Sequence, residues 1–397
     1  MKILMLSHLY PSAADPTAGT FVHEQASALI DLGHDVRVVS PKGIAPPLLT
    51  RWARYRDIPG VDHHDGVPVL YPRKLTLPGG RLGHWNAESM RLAVTGPLSR
   101  IRTRWPFDVI HAHMLVPDGW AAARVGARLG VPVLATAHRA DVLDVPARGG
   151  AQRTQVEQAV ATVDQVVAVS KAMRSACDAL ATPRRPVVVV PNGADTRVFH
   201  PRERREARDR LGLPQDERIV AFVGMLSARK GIDTLLEAIG MLAHTDARAP
   251  VLTIAGIGEL QTSLESRARD LGIVDRLRFA GKVAHDEVAW WMAAGDVFCL
   301  PSLSEGLPTV VCEAMACGRA VVATAVDGTP EIVDDGVTGL LVPPRDAPAL
   351  AAALERLLGD DSMRLRFETE ALARARETYT WAANARAHVA LYEAIAR

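Results

Sequence analysis

Lysine is scarce in this chain, with six residues among 46 basic side chains in 397 positions, so a lysine in an unusual place stands out. Cysteine is scarcer, and Cys177, Cys299, Cys312 and Cys317 show no paired spacing that would hold a metal. That excludes a secreted disulfide framework and reads as buried thiols in a reducing compartment. No apolar run approaches the ~18 residues of a membrane span. The start, MKILMLSHLY, turns polar after six residues and lacks a small-residue cleavage site, so it reads as a first strand and not as a signal peptide. An excess of charge is missing too: 46 basic residues face 45 acidic ones, for a formal net charge of +1. This argues against a bulk nucleic-acid binder and leaves room only for a local basic patch. The expectation is a soluble, cytoplasmic protein.

What is present is a 48% hydrophobic chain, too apolar for disorder and longer than the ~300 residues at which single cores stop growing. Short β-branched runs alternate with longer amphipathic stretches. Strands are expected at 3–7, 36–40, 67–70, 109–112, 131–136, 166–170 and 187–190, with helices at 21–32, 120–129 and 171–180 between several of them. The pattern restarts with strands at 219–224, 252–255, 277–280 and 297–300, and helices at 232–243, 259–271, 285–294 and 309–316. Strand, helix, strand implies parallel sheets covered on both faces. The seam falls near PNGADTRVFHP, giving domains 1–194 and 195–380, with a tail helix 381–397 crossing back. Two such sheets facing each other leave a cleft outside the carboxyl ends of their strands. One stretch breaks the rhythm: 44–60 (IAPPLLTRWARYRDIPG) mixes aromatic and basic residues, as an acceptor- or membrane-contacting segment would, or as an anchored surface loop would.

The segment 302–319, SLSEGLPTVVCEAMACGR, is the most informative. A strand ends, a turn presents Glu305-Gly306-Leu307, and Pro308 suits the first turn of a helix, whose free N–H groups favour a phosphate. Glu313 lies about a turn and a half into that helix, where a carboxylate can accept from two vicinal ribose hydroxyls. Glu305 precedes the helix and can meet another part of the same ligand. Taken alone, two glutamates would read as a surface residue and an ion pair; the surrounding segment favours a ligand site.

EGLPTVVCEAMACGRAVVATAVDGTPEIV resembles the signature of the GT4-type retaining glycosyltransferases, with Glu305 and Glu313 at the E-x7-E spacing. PNGADTRVFHP, VGMLSARKGID, AGIGEL and DGVTGLLVPP match further family segments along nearly the whole chain. The resemblance implies an α/β GT-B fold of two Rossmann-like, doubly wound domains, a nucleoside diphosphate sugar (UDP- or GDP-linked) as donor, and neither metal nor cofactor. It implies that Glu313 holds the ribose, and that Glu305 holds the transferred sugar with the backbone of Gly306 and Leu307. Lys230 matches the phosphate-binding lysine. Where the family reads Gly-Arg-Leu this chain reads Gly224-Met225-Leu226, so one phosphate cation is missing, and Arg229 is the candidate replacement. Gly19, in PTAGT, resembles the glycine loop that meets donor phosphates, and AGTFVHEQ resembles relatives that build teichuronic-acid-type polysaccharides.

His138, in TAHRADV, matches a histidine that contacts the donor sugar. Thr20, His113, Asp118 and Asp141 are placed on the acceptor side. The implied reaction is retaining transfer, with the leaving phosphate taking the acceptor's proton. The acceptor would be a small molecule or lipid-linked glycan, in cell-surface polysaccharide or glycosylated natural-product synthesis, with at most peripheral membrane contact. The alternatives are a nucleotide-sugar 2-epimerase, against which E-x7-E speaks, and an inactive nucleotide-sugar-binding partner, toward which only Met225 points.

Overall fold

A computed structural model describes residues 1–44, 57–76, 83–246 and 248–396. Most of the irregular stretch 44–60 therefore lies outside the described residues. The chain divides into two compact units, Met1–Asn192 together with Trp381–Arg397, and Gly193–Thr380. Among the described residues no helix is long and apolar enough to cross a membrane, and all four cysteines are buried free thiols.

In chain order the first unit contains strands β1 (Lys2–Leu6), β2 (Asp35–Val39), β3 (Lys42–Ile44), β4 (Val61–His64), β5 (Val67–Leu70), β6 (Arg73–Leu75), β7 (Val109–His113), β8 (Val133–Ala137), β9 (Gln165–Ala168) and β10 (Val188–Val189). Its main sheet runs β10-β9-β8-β7-β1-β2-β5-β4, and β3 pairs with β6 apart from it. β1 and β7 are buried almost throughout because helices cover both faces; β1 reads as an apolar run after Lys2, while β7 also buries His111 and His113. One edge departs from the all-parallel expectation: β4 and β5 are antiparallel. Their connection is Asp65-Gly66, with φ of 46° and 83°, the doubly positive pair that a tight hairpin turn requires.

The second unit contains β11 (Ile219–Val223), β12 (Val251–Ala255), β13 (Leu277–Gly281), β14 (Val297–Leu300), β15 (Ala320–Thr324) and β16 (Gly339–Val342). Their order, β13-β12-β11-β14-β15-β16, with every neighbouring pair parallel, is the 3-2-1-4-5-6 arrangement of dinucleotide-binding sheets. In each unit the order reverses beside the first strand, between β1 and β7 and between β11 and β14. Ligands of open α/β sheets bind outside the carboxyl ends of the strands at such a reversal.

The helix Trp381–Ala396 belongs to the first unit, where Trp381, Ala385, Tyr392 and Ile395 join the core of Ile3, Met5, Val22 and Leu29. Gln25 Nε2 donates to Asn384 Oδ1 (2.6 Å), and Asn384 Nδ2 donates to the Pro191 carbonyl (2.7 Å). Tyr392 is fully buried with its hydroxyl 2.7 Å from His111 Nδ1. Tyr392→Ala removes a buried ring and is expected to cost about 3–5 kcal/mol, and Tyr392→Phe about 1–3 kcal/mol by stranding His111 Nδ1. Urea unfolding followed by fluorescence measures both.

Candidate active site

In the second unit the β11/β14 reversal gathers the residues singled out by the sequence. β14 ends at Leu300, and 301–308 lead into helix Thr309–Ala316, whose N-cap Pro308 offers no side-chain acceptor. The first N–H groups of such a helix lack intrahelical partners and face outward as anion donors. After β11, a single tight turn, Ala228–Lys230, and Gly231 (φ 62°) lead into helix Ile232–Thr245. A Cβ on Gly231 would come within 2.1 Å of the Pro301 carbonyl oxygen, so only glycine lets the two loops touch.

Glu305 is the hub of this corner. Its carboxylate, 6% exposed, accepts from Lys230 Nζ (2.6 Å), Ser302 Oγ (2.7 Å) and Arg229 Nη1 (3.1 Å). Burial alone would push this carboxyl up, but the two adjacent cations and their hydrogen bonds outweigh it and hold it below the ordinary range. Arg229 Nη1 also donates to the Ser304 carbonyl (3.0 Å), which sets the guanidinium beside Lys230. Met225 is 65% exposed and contributes no charge. Lys230 and Arg229 thus converge on Glu305 beside a helix start whose free N–H groups suit a phosphate. Gly306 and Leu307 are buried in the turn, and Glu313 stands half-buried on the fifth position of the helix.

Asp327 was missed by sequence reasoning. Its Oδ2 accepts from the Glu305 N–H (2.8 Å) and from Ser304 Oγ (2.6 Å), fixing the turn that aims Glu305. The Asp-Gly pair in AVDGTP was the available signal of a turn residue, and the Asp327 φ of 43° bears that out.

In the first unit, Gly19 (φ 70°) caps helix Thr20–Asp31, and a Cβ there would lie 2.4 Å from the Leu9 carbonyl oxygen. His113, at the end of β7, stacks between His111 (ring centroids 4.4 Å) and His138 (5.7 Å), and Phe21 packs on His138 at 4.8 Å. Burial is the main reason these imidazoles are hard to protonate; it lowers His138 to about 4 and His113 well below its ordinary value. They are neutral hydrogen-bonding groups at neutral pH. His113 Nε2 is buried without a partner among the described residues.

The two acids placed on the acceptor side are engaged by the chain itself. Asp141, wholly buried, accepts from the His138 N–H (3.0 Å) and the Leu115 N–H (2.7 Å), and burial raises its carboxyl to about 6. It positions His138. Asp118 accepts from the His8 N–H (2.8 Å) and lies 2.5 Å from His8 Nδ1. Two buried lysines, Lys42 and Lys74, escaped the sequence reading because they stand on either side of the irregular stretch, on the short β3/β6 pair.

Comparison with known proteins decides the family. Residues 203–374 match the profile for "Glycosyl transferases group 1" and residues 18–198 that for "Glycosyltransferase Family 4". A protein of Bacillus subtilis (strain 168), whose name provisionally places it as a teichuronic acid biosynthesis glycosyltransferase, is 33% identical over 90% of this chain and 89% of its own length. The chain belongs to the GT4-type glycosyltransferases. A D-inositol 3-phosphate glycosyltransferase of Nocardioides sp. is also 33% identical, over 89% of this glycosyltransferase and 82% of its own length. Among solved structures, the sucrose-phosphate synthase of Thermosynechococcus elongatus superposes with a TM-score of 0.81 at 24% identity, covering 99% of each chain. The Anabaena protein HepE, in complex with UDP-glucose, superposes at 0.76 with 20% identity, covering 99% of this chain and 100% of that one. The fold of the glycosyltransferase is GT-B.

Lys230→Met removes the first-named cation from a buried carboxylate. Glu305 should then titrate at higher pH, so the acid limb of the pH–activity profile moves up. The depressed carboxyl of the native protein lends stability above its ordinary range, lost as pH falls through it, and Lys230→Met loses this contribution. Thermal unfolding between pH 3 and 7 checks the sign.

Proposed function

We propose that this glycosyltransferase moves a sugar from a UDP- or GDP-linked donor to an acceptor hydroxyl, with retention of anomeric configuration and without a catalytic metal or cofactor. The observation that carries the reading is the Glu305 carboxylate clamped by Lys230 and Arg229 at the mouth of helix Thr309–Ala316. In this reading Lys230, Arg229 and the helix N–H groups take up the charge of the departing diphosphate. Glu313 holds the ribose, and Glu305, with Gly306 and Leu307, aligns the sugar. In the first unit, Gly19 lets its loop offer backbone N–H groups to a phosphate, and neutral His138 gives or accepts one hydrogen bond with a sugar hydroxyl. The acceptor attacks the face that the diphosphate leaves, and the departing phosphate oxygen receives the acceptor proton.

On the acceptor side we propose an anionic substrate, small or lipid-linked. The names of the relatives mention D-inositol 3-phosphate and teichuronic acid, and this chain keeps two of its six lysines buried together. Lys42 Nζ donates to the Tyr10 carbonyl (2.8 Å) and lies over the Tyr71 ring (5.4 Å from its centroid). Burial pulls Lys42 down to about 8 and lowers Lys74 as well, with Asp118 the opposite charge that acts on both. Buried cations of this kind are stabilised by an anion brought to them. A cytoplasmic site of action fits this reading.

Incubation with UDP- and GDP-sugars tests the donor half, with slow donor hydrolysis as readout when no acceptor is present and product anomer assigned by NMR. Wild type should turn over one nucleotide class and Glu305→Gln neither. Binding without turnover by wild type favours the second reading, an inactive donor-binding protein, for which Met225 is the one supporting observation. For the acceptor half, Lys74→Met should raise acceptor KM at least tenfold with donor KM unchanged. Acceptor KM should also climb as pH passes about 8, where Lys42 loses its proton.

A further inference from the structure

A second cluster of chemistry-bearing side chains lies in the first unit, apart from the groups assigned above to donor and acceptor. The tight turn of the β4–β5 hairpin carries His64 and Asp65, and helix Thr20–Asp31 presents His23 to it from its second turn. His23 Nε2 is 3.3 Å and His64 Nε2 is 3.7 Å from Asp65 Oδ2. The two imidazoles meet edge to face with centroids 4.6 Å apart, and one ligand atom from each of the three residues falls within 4.8 Å of the others.

The two separations from Asp65 Oδ2 come close to those of a coordination polyhedron. Donors bound tetrahedrally at about 2.0–2.1 Å from one ion lie about 3.3–3.4 Å apart. His23 Nδ1 is 2.9 Å from the hydroxyl of buried Tyr10. In the tautomer that donates Nδ1–H to Tyr10 Oη, Nε2 turns its lone pair toward Asp65. A metal-bound histidine is characteristically oriented in this way by a second group behind it. Two imidazoles and one carboxylate suit a borderline divalent ion and leave one position for water.

We propose that His23, His64 and Asp65 form a binding site for Zn²⁺ or a similar divalent transition metal, with Tyr10 as the positioning residue behind His23. The ion fastens the hairpin turn to the helix that Gly19 caps. It is a structural tie, separate from the metal-free transfer chemistry, so its removal loosens this corner and leaves the donor groups of the second unit untouched.

Zinc titrated into the chelator-stripped full chain, in competition with a chromophoric indicator, tests the site. One equivalent should bind, and added Zn²⁺ should raise the unfolding temperature. His64→Ala and Asp65→Asn, both on a half-buried or exposed turn, should weaken that binding by tenfold or more and remove the thermal shift. Tyr10→Phe should weaken it about tenfold, and the neighbouring exposed His63→Ala should leave it intact. Absence of stoichiometric binding means that the three residues form histidine–aspartate pairs only and overturns the proposal. Binding that survives both His64→Ala and Asp65→Asn, or that disappears with His63→Ala, overturns it as well.

Discussion

A carboxylate held below its ordinary range in a nearly closed corner is the constraint around which the second unit is arranged. Glu305 stays ionised only because Lys230, Arg229 and Ser302 converge on it. That convergence requires the turn after β11 to touch the turn after β14, which in turn requires glycine at 231. The Asp327 carboxylate then fixes the peptide of Glu305 from the other side. Breaking a buried pair by removing one partner costs far more than the pair contributes in net stability. The strand order that brings the two loops together and the chemistry they carry are therefore coupled.

The first unit solves the opposite problem. Its histidine stack is kept neutral by burial, and burial likewise makes the ammonium groups of Lys42 and Lys74 easier to deprotonate than usual. Uncharged imidazoles recognise hydroxyls without attracting counter-ions, and buried ammonium groups seek an anion. One unit thus sets two cations against a buried carboxylate at a helix mouth, and the other holds uncharged imidazoles and buried ammonium groups.

Much of this was legible from residue order. β1 and β14 were readable because buried parallel strands are short apolar runs, β5 and β7 from their valine and isoleucine despite Pro68 and two histidines, and the E-x7-E spacing placed Glu305 before a helix and Glu313 within it. β15 and β16 lie inside the motif segments, and β16, Gly-Leu-Leu-Val, carries a single β-branched residue to mark it as a strand. Helix Trp85–Arg104 escaped because its apolar residues form no clean stripe and Pro97 lies inside it. The β4–β5 hairpin, with DHHDG at its tip, has an edge-strand pattern too short to register. The partners of Asp118 and Asp141 were out of reach for a different reason. A buried carboxylate that binds backbone N–H groups and one that binds substrate look the same in sequence, and only the fold says which atoms surround them.

The return of helix Trp381–Ala396 to the first unit has a consequence for synthesis on the ribosome. The second unit is, in chain order, an insertion into the first. When residue 192 has been made, the core that will receive Trp381, Ala385, Tyr392 and Ile395 is still missing one wall. At about 5–20 residues per second, that wall arrives roughly 10–40 s later, after the whole second unit has emerged. Throughout that interval the nascent first unit presents the apolar face of Thr20–Asp31 to its surroundings, so its maturation depends on whatever holds that face before the chain closes it.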